Sequence, residues 1–151
     1  MKIVLMNMLA FFYIILFLND TNSLKIYNQN KEVSSSNFYS DEQIENFIRE
    51  VFLNYSDELV FNSNSQRYEL IKDFLNNRFK IEYRPEYKGK NFNLLSSVSI
   101  NNKYNTNLKI DTKIDLVTFN PLKYNFLMNS RTKHIYRVDN TDFIITILPI
   151  N

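Results

Sequence analysis

The chain reads as an α+β domain, two N-terminal helices packed on an antiparallel sheet of about five to six strands. Three observations predict this. Ser40 opens a stretch whose apolar residues recur at steps of three and four. A second start signal of the same kind follows at Ser63. From Phe79 onward the apolar spacing changes to two, the period of a pleated strand.

The first helix is signalled by Ser40 and, three residues later, Gln43, a pairing in which each side chain satisfies the other's backbone N–H. Asp41 and Glu42 face the positive end of the helix dipole. Ile44, Phe47, Ile48, Val51, Phe52 and Tyr55 then form an apolar stripe, with Glu45, Arg49 and Glu50 opposite. Ser63 and Gln66 predict a second capping box, followed by Leu70, Ile71, Phe74 and Leu75, with Asn76 and Asn77 available for a left-handed end. Between the two helices, Leu59, Val60 and Phe61 form a short apolar plug.

Phe79, Ile81 and Tyr83 alternate with Lys80, Glu82 and Arg84 until Pro85 ends the strand. The stretch RPEYKGKN holds the single glycine, Gly89, and is expected to be a hairpin loop. Phe92, Leu94, Ser96, Val98 and Ile100 predict one strand. Leu108, Ile110, Thr112, Ile114 and Leu116 predict another, with Lys109, Asp111, Lys113 and Asp115 on its wet face. Asn120 followed by Pro121 suits the start of a short helix or turn. The end of the chain reads as a hairpin, HIYRV and FIITILPI joined through DNTD, its last strand apolar enough to be central. One version of this element order is a curved sheet wrapped over the helices as a cone.

Residues 1–23 are of another kind. Lys2 precedes an apolar run over residues 3–18, and the small polar residues 19–23 follow, the order of a secretory signal peptide. Sixteen helical residues span roughly 24 Å, short of the ~30 Å hydrocarbon core. We expect residues 24–39 to be an extended lead-in, residues 40–151 to be the single domain, and the product to be exported, secreted or periplasmic. An uncleaved N-terminal segment anchoring the domain to a membrane is the alternative.

Composition excludes much chemistry. The 151 residues contain no cysteine, one glycine and one histidine. That removes disulfides, thiolate metal sites, phosphate-cradling glycine loops and multi-histidine zinc sites. A net charge of +2, with the signs well mixed, does not describe a nucleic-acid surface. No cofactor and no metal is expected.

The candidate acids fare poorly as catalytic pairs. In a strand, Asp111 and Asp115 would stand roughly 13 Å apart, beyond the ~5–9.5 Å of glycosidase carboxylates. Glu82 and Glu86 flank Pro85, and Asp139 and Asp142 bracket a turn, where acids usually bond local amides. His134, beside Lys133 and near Arg137, reads as an exposed strand-edge residue. The candidate binding residues are Arg84, Tyr87, Lys88 and Lys90, which place an aromatic face among cations on one loop. The expected function is non-catalytic binding of a protein partner, an envelope component or a ligand. A carboxylate-dependent hydrolase and a cone-shaped ligand-pocket domain are the alternatives.

Overall fold

A computed structural model describes residues 39–62, 66–111 and 113–150. The expected signal peptide and nearly all of the lead-in lie outside the described residues. The chain divides into Met1–Ser35 and Ser36–Asn151, and everything described belongs to the second unit.

The fold is α+β. Helix α1 (Asp41–Phe52) carries the full capping box, with Gln43 N–H donating to Ser40 Oγ and Ser40 N–H donating to Gln43 Oε1. Its stripe is buried as expected at Ile44, Ile48 and Val51, none of which reaches solvent. The stripe stops one step early. Leu53 takes φ +47 and ψ −129, which turns the chain sharply and leaves Tyr55 51% exposed. A leucine in this region of the backbone map costs on the order of 1–3 kcal/mol, and its own side chain is 45% exposed. Leu53→Gly is therefore expected to raise unfolding free energy by about 1 kcal/mol, the relieved strain exceeding the entropy that glycine adds to the unfolded chain. Urea unfolding of the two proteins checks this, and a less stable glycine variant would refute the strain.

The plug residues follow as a wide turn, Asp57–Phe61, with Val60 fully buried. Helix α2 (Arg67–Asp73) differs from expectation at both ends. Ser63 lies outside the described residues, and the N-cap residue, Gln66, makes no side-chain cap bond. The helix does not end in left-handed asparagines. It widens into a π turn, Phe74–Arg78, and this rotation buries Phe74, Leu75 and Arg78 while leaving Leu70 46% exposed. Asn76 instead pairs with the backbone of Tyr39 in both directions, at 2.9 and 3.3 Å. Arg78, almost fully buried, donates to Asp73 at 2.6 Å and to the Met128 carbonyl.

Four described strands form one mixed sheet: β1 (Phe79–Tyr83), β2 (Asn93–Leu94), β3 (His134–Arg137) and β4 (Phe143–Ile147), in the order β1-β4-β3-β2. The expected five or six antiparallel strands are corrected here to four, with β2 and β3 parallel. β4 is central, as its apolar character predicted, and is antiparallel to both β1 and β3. Asn140, at φ +56, makes the turn between β3 and β4.

Three further expectations fail, each for its own reason. β1 and β2 occupy opposite edges of the sheet, so residues 84–92 form a crossover and not a hairpin. The expected strand over 92–100 shrinks to two residues, because a 3₁₀ turn at Leu95–Ser97 breaks the two-residue period. Leu95 is consequently buried at 2% exposure, while Leu94 stands 43% exposed. Residues 108–118 form no described strand at all. Their backbone bonds locally: Asp115 O accepts from Phe119 N–H at 2.8 Å, Asp115 Oδ1 accepts from Val117 N–H at 2.9 Å, and Asp111 N–H donates to Tyr124 Oη at 3.0 Å. These turn and side-chain bonds take backbone groups that a ladder partner would otherwise engage. Leu108, Ile114 and Leu116 pack onto the core singly.

The core joins the helices to one face of the sheet through aromatic rings. Phe79 lies 5.9 Å from Phe74, 6.1 Å from Phe119 and 6.0 Å from Phe126, ring centre to ring centre. Asn120 caps the turn Pro121–Lys123 as its position predicted, and it does so from a buried site.

Candidate functional site

The crossover between β1 and β2 is built from its proline and glycine outward. Pro85 opens a 3₁₀ turn, and Gly89, at φ +84, reverses the chain so that Lys90 N–H donates to the Tyr87 carbonyl at 2.9 Å. The turn gathers three of the four expected binding residues. The Lys90 ammonium lies 4.3 Å from the centre of the Tyr87 ring, and the Arg84 guanidinium lies 5.9 Å from it. Phe92 lies 5.7 Å from the same ring. Lys88 is exposed, and while its backbone N–H donates to the Pro85 carbonyl at 3.0 Å, its side chain makes no described hydrogen bond or ion pair.

The acids flanking Pro85 are not a catalytic pair. Both turn toward Arg84, Glu82 at 3.0 Å and Glu86 at 3.3 Å. The Glu82 hydrogen bond, followed by its charge and then by Glu86, holds the guanidinium still more firmly protonated than usual. Arg84 is thereby largely neutralised, and the cationic character of the loop rests on Lys88 and Lys90.

Arg137 is the residue that sequence reasoning missed. Its side chain, 14% exposed, reaches across from β3 and donates to the carbonyls of Tyr87 at 2.7 Å and Lys90 at 3.3 Å. The guanidinium also lies 5.7 Å from the centre of the Phe92 ring and 3.8 Å from Asp142. It therefore pins the crossover to the sheet at its two central carbonyls. An arginine at the end of the strand His134–Arg137 was the available signal; what it would tether was not.

A separate open cleft of about 650 Å³ lies between residues 110–114 and the turn 138–141. Asp111 and Asp139 both line it. Each carboxylate is engaged. Asp111 accepts from Lys123 Nζ at 2.6 Å and from Tyr124 Oη at 2.8 Å, and Asp139 accepts from both the backbone and the hydroxyl of Ser96. Burial, more than the neighbouring charge of Asp111, pushes the Tyr124 phenol well above the usual tyrosine range. Asp115, the second acid of the expected solvated face, is occupied in its own turn.

His134 meets Ser130 Oγ at 2.7 Å and Thr132 Oγ1 at 3.3 Å, with no carboxylate among its described hydrogen-bond partners. Among the described residues, no group of three or more histidines or carboxylates is placed to hold a metal ion. No described helix is long and apolar enough to cross a membrane.

Compared with protein-family models, with curated proteins and with solved structures, the chain matches none of them.

Proposed function

We propose that this chain is a small exported domain that binds an acidic segment of a protein partner through residues 84–92, without catalysis of its own. The observation that carries the reading is the tethered aromatic–cation turn, in which Tyr87 lies under Lys90 at 4.3 Å while Arg137 holds the turn's carbonyls. A loop pinned in advance loses little conformational freedom on binding. Aromatic and arginine side chains carry a disproportionate share of interface energy, and uncompensated lysines steer an acidic partner inward. Export rests on the order of charge, apolar run and small polar residues across residues 1–23. An uncleaved anchor would present the same domain on a membrane surface.

Expressed in full, the chain should appear outside the cytoplasm with a mass reduced by residues 1–23. Cross-linking in that compartment should capture a partner whose yield falls at least about tenfold in the Lys88→Glu/Lys90→Glu double variant and in Tyr87→Ala. A partner retained equally by all three proteins, or no partner at all, would overturn the proposal.

The shared cleft of Asp111 and Asp139 favours a second reading, a carboxylate-dependent hydrolase. That chemistry needs one acid free to exchange protons with a substrate, and the donors around both carboxylates argue against it. A cone-shaped ligand pocket between helices and sheet is a third form. The aromatic packing of Phe74, Phe79, Phe119 and Phe126 supports a filled contact there instead.

A further inference from the structure

The unexpected exposure of Leu70 and Tyr55 points to one place. Leu70 lines an open groove of about 340 Å³ where the end of α1, the start of α2 and residues 101–104 meet, with Met128 and Asn129 closing it. Its apolar wall is Phe52, Leu70, Tyr104 and Met128. The Tyr104 ring lies tilted against Phe52 at 5.5 Å and Tyr55 at 5.2 Å, so the 51%-exposed Tyr55 ring continues the same surface. The wall is held in place: Asn105 Nδ2 donates to the Glu50 carbonyl at 2.8 Å, and the left-handed turn at Leu53 directs Tyr55 to it. Methionine lets such a wall adapt to differing shapes.

The rim of the groove has one sign. Arg67 and Lys103 line it, with the amides of Asn101 and Asn129, and among the described residues no carboxylate does. Lys103 Nζ lies 5.1 Å from the centre of the Tyr104 ring and makes no described ion pair. A cation beside an apolar wall, with amide donors nearby, complements a ligand that has an anionic head and an apolar body. The volume lies at the lower end of the ~300–1,000 Å³ typical of small-molecule sites, which suits a slender ligand.

We propose that this groove binds a free single-chain carboxylate amphiphile, with the head at Lys103 and the chain along Tyr104 and Leu70. The site is distinct from the crossover turn and does not depend on the partner proposed for it. The test is a titration of the full chain with dodecanoate below its micelle concentration, followed by NMR, with dodecyltrimethylammonium as the cation of equal tail. Dodecanoate should shift the resonances of Leu70, Lys103 and Tyr104, and the cation should bind at least about tenfold more weakly. Lys103→Glu should weaken dodecanoate by a similar factor, with an unchanged melting temperature, and Lys103→Arg should retain it. Equal binding of the two amphiphiles would reduce the groove to nonspecific apolar surface and overturn the proposal. So would shifts located elsewhere, or a response to phosphatidylglycerol vesicles without one to dodecanoate.

Discussion

Replacing Phe79 by alanine is expected to lower unfolding free energy by about 3–5 kcal/mol, among the largest single-residue losses in this fold. The ring is 1% exposed and touches phenylalanines from three separate segments, at positions 74, 119 and 126. Removing it takes away apolar area that folding had withdrawn from water. It also leaves a cavity that the surrounding rings fill poorly, since each is held by other contacts. Domains of this size are stable by only about 5–15 kcal/mol, so the variant is expected to lose about a fifth of its margin or more. Urea unfolding gives the number directly, with Leu70→Ala, at 46% exposure, as the surface control. Were the two variants to lose the same amount, the aromatic cluster would not be the centre of the core.

The second large effect is expected at Asn120, and its form is more diagnostic than its size. Asn120 is 1% exposed and uses both ends of its amide. Oδ1 accepts from Leu122 N–H at 2.9 Å, while Nδ2 donates to the Phe47 carbonyl at 3.0 Å and to Glu50 Oε2 at 2.9 Å. The side chain thus caps one turn and fastens it to α1. Alanine should cost about 2–3 kcal/mol, from the lost cap and the stranded acceptors. At an ordinary exposed cap, aspartate would serve as well as asparagine. Here aspartate would place a carboxylate against a carbonyl and a second carboxylate, out of water. Asn120→Asp should therefore be less stable than Asn120→Ala at neutral pH.

The pH dependence of that variant follows from the same geometry. Repulsion and burial raise the folded-state pKa of Asp at this position above its unfolded value. Its folded form then binds a proton more readily than its unfolded form, so the variant is favoured at low pH and loses stability as pH rises through the raised pKa. Melting curves across that range, compared with those of Asn120→Ala, read the difference. An aspartate variant that matches the original protein at neutral pH would show that the two amide donors contribute nothing.

The elements legible in advance were those whose cause is local. Ser40 and Gln43 bond each other within one turn of helix, and the spacing from Ile44 to Phe52 places its residues on one side of any helix that forms there. The alternation of Phe79, Ile81 and Tyr83, the apolar run of β4, and the Asn120–Pro121 pair were legible on the same grounds. The candidate site was half legible. The aromatic and cationic residues of the turn could be named, but Arg137, which tethers them, lies 50 residues from Tyr87 along the chain.

Residues 108–118 show where local reasoning stops. Their alternation is as regular as that of β1, yet β1 has β4 beside it and this segment has no described strand partner. A period of two states which side chains share a face; it does not supply the neighbouring backbone to which a strand must bond. The order β1-β4-β3-β2, the exposure of Leu70 and Tyr55, and the meeting of Asp111 with Asp139 in one cleft were decided only in the tertiary structure. The sequence by itself determined caps, periods and the chemistry that missing residue types forbid. Packing determined partners, because a hydrogen bond or a buried ring is completed by residues far away in the chain.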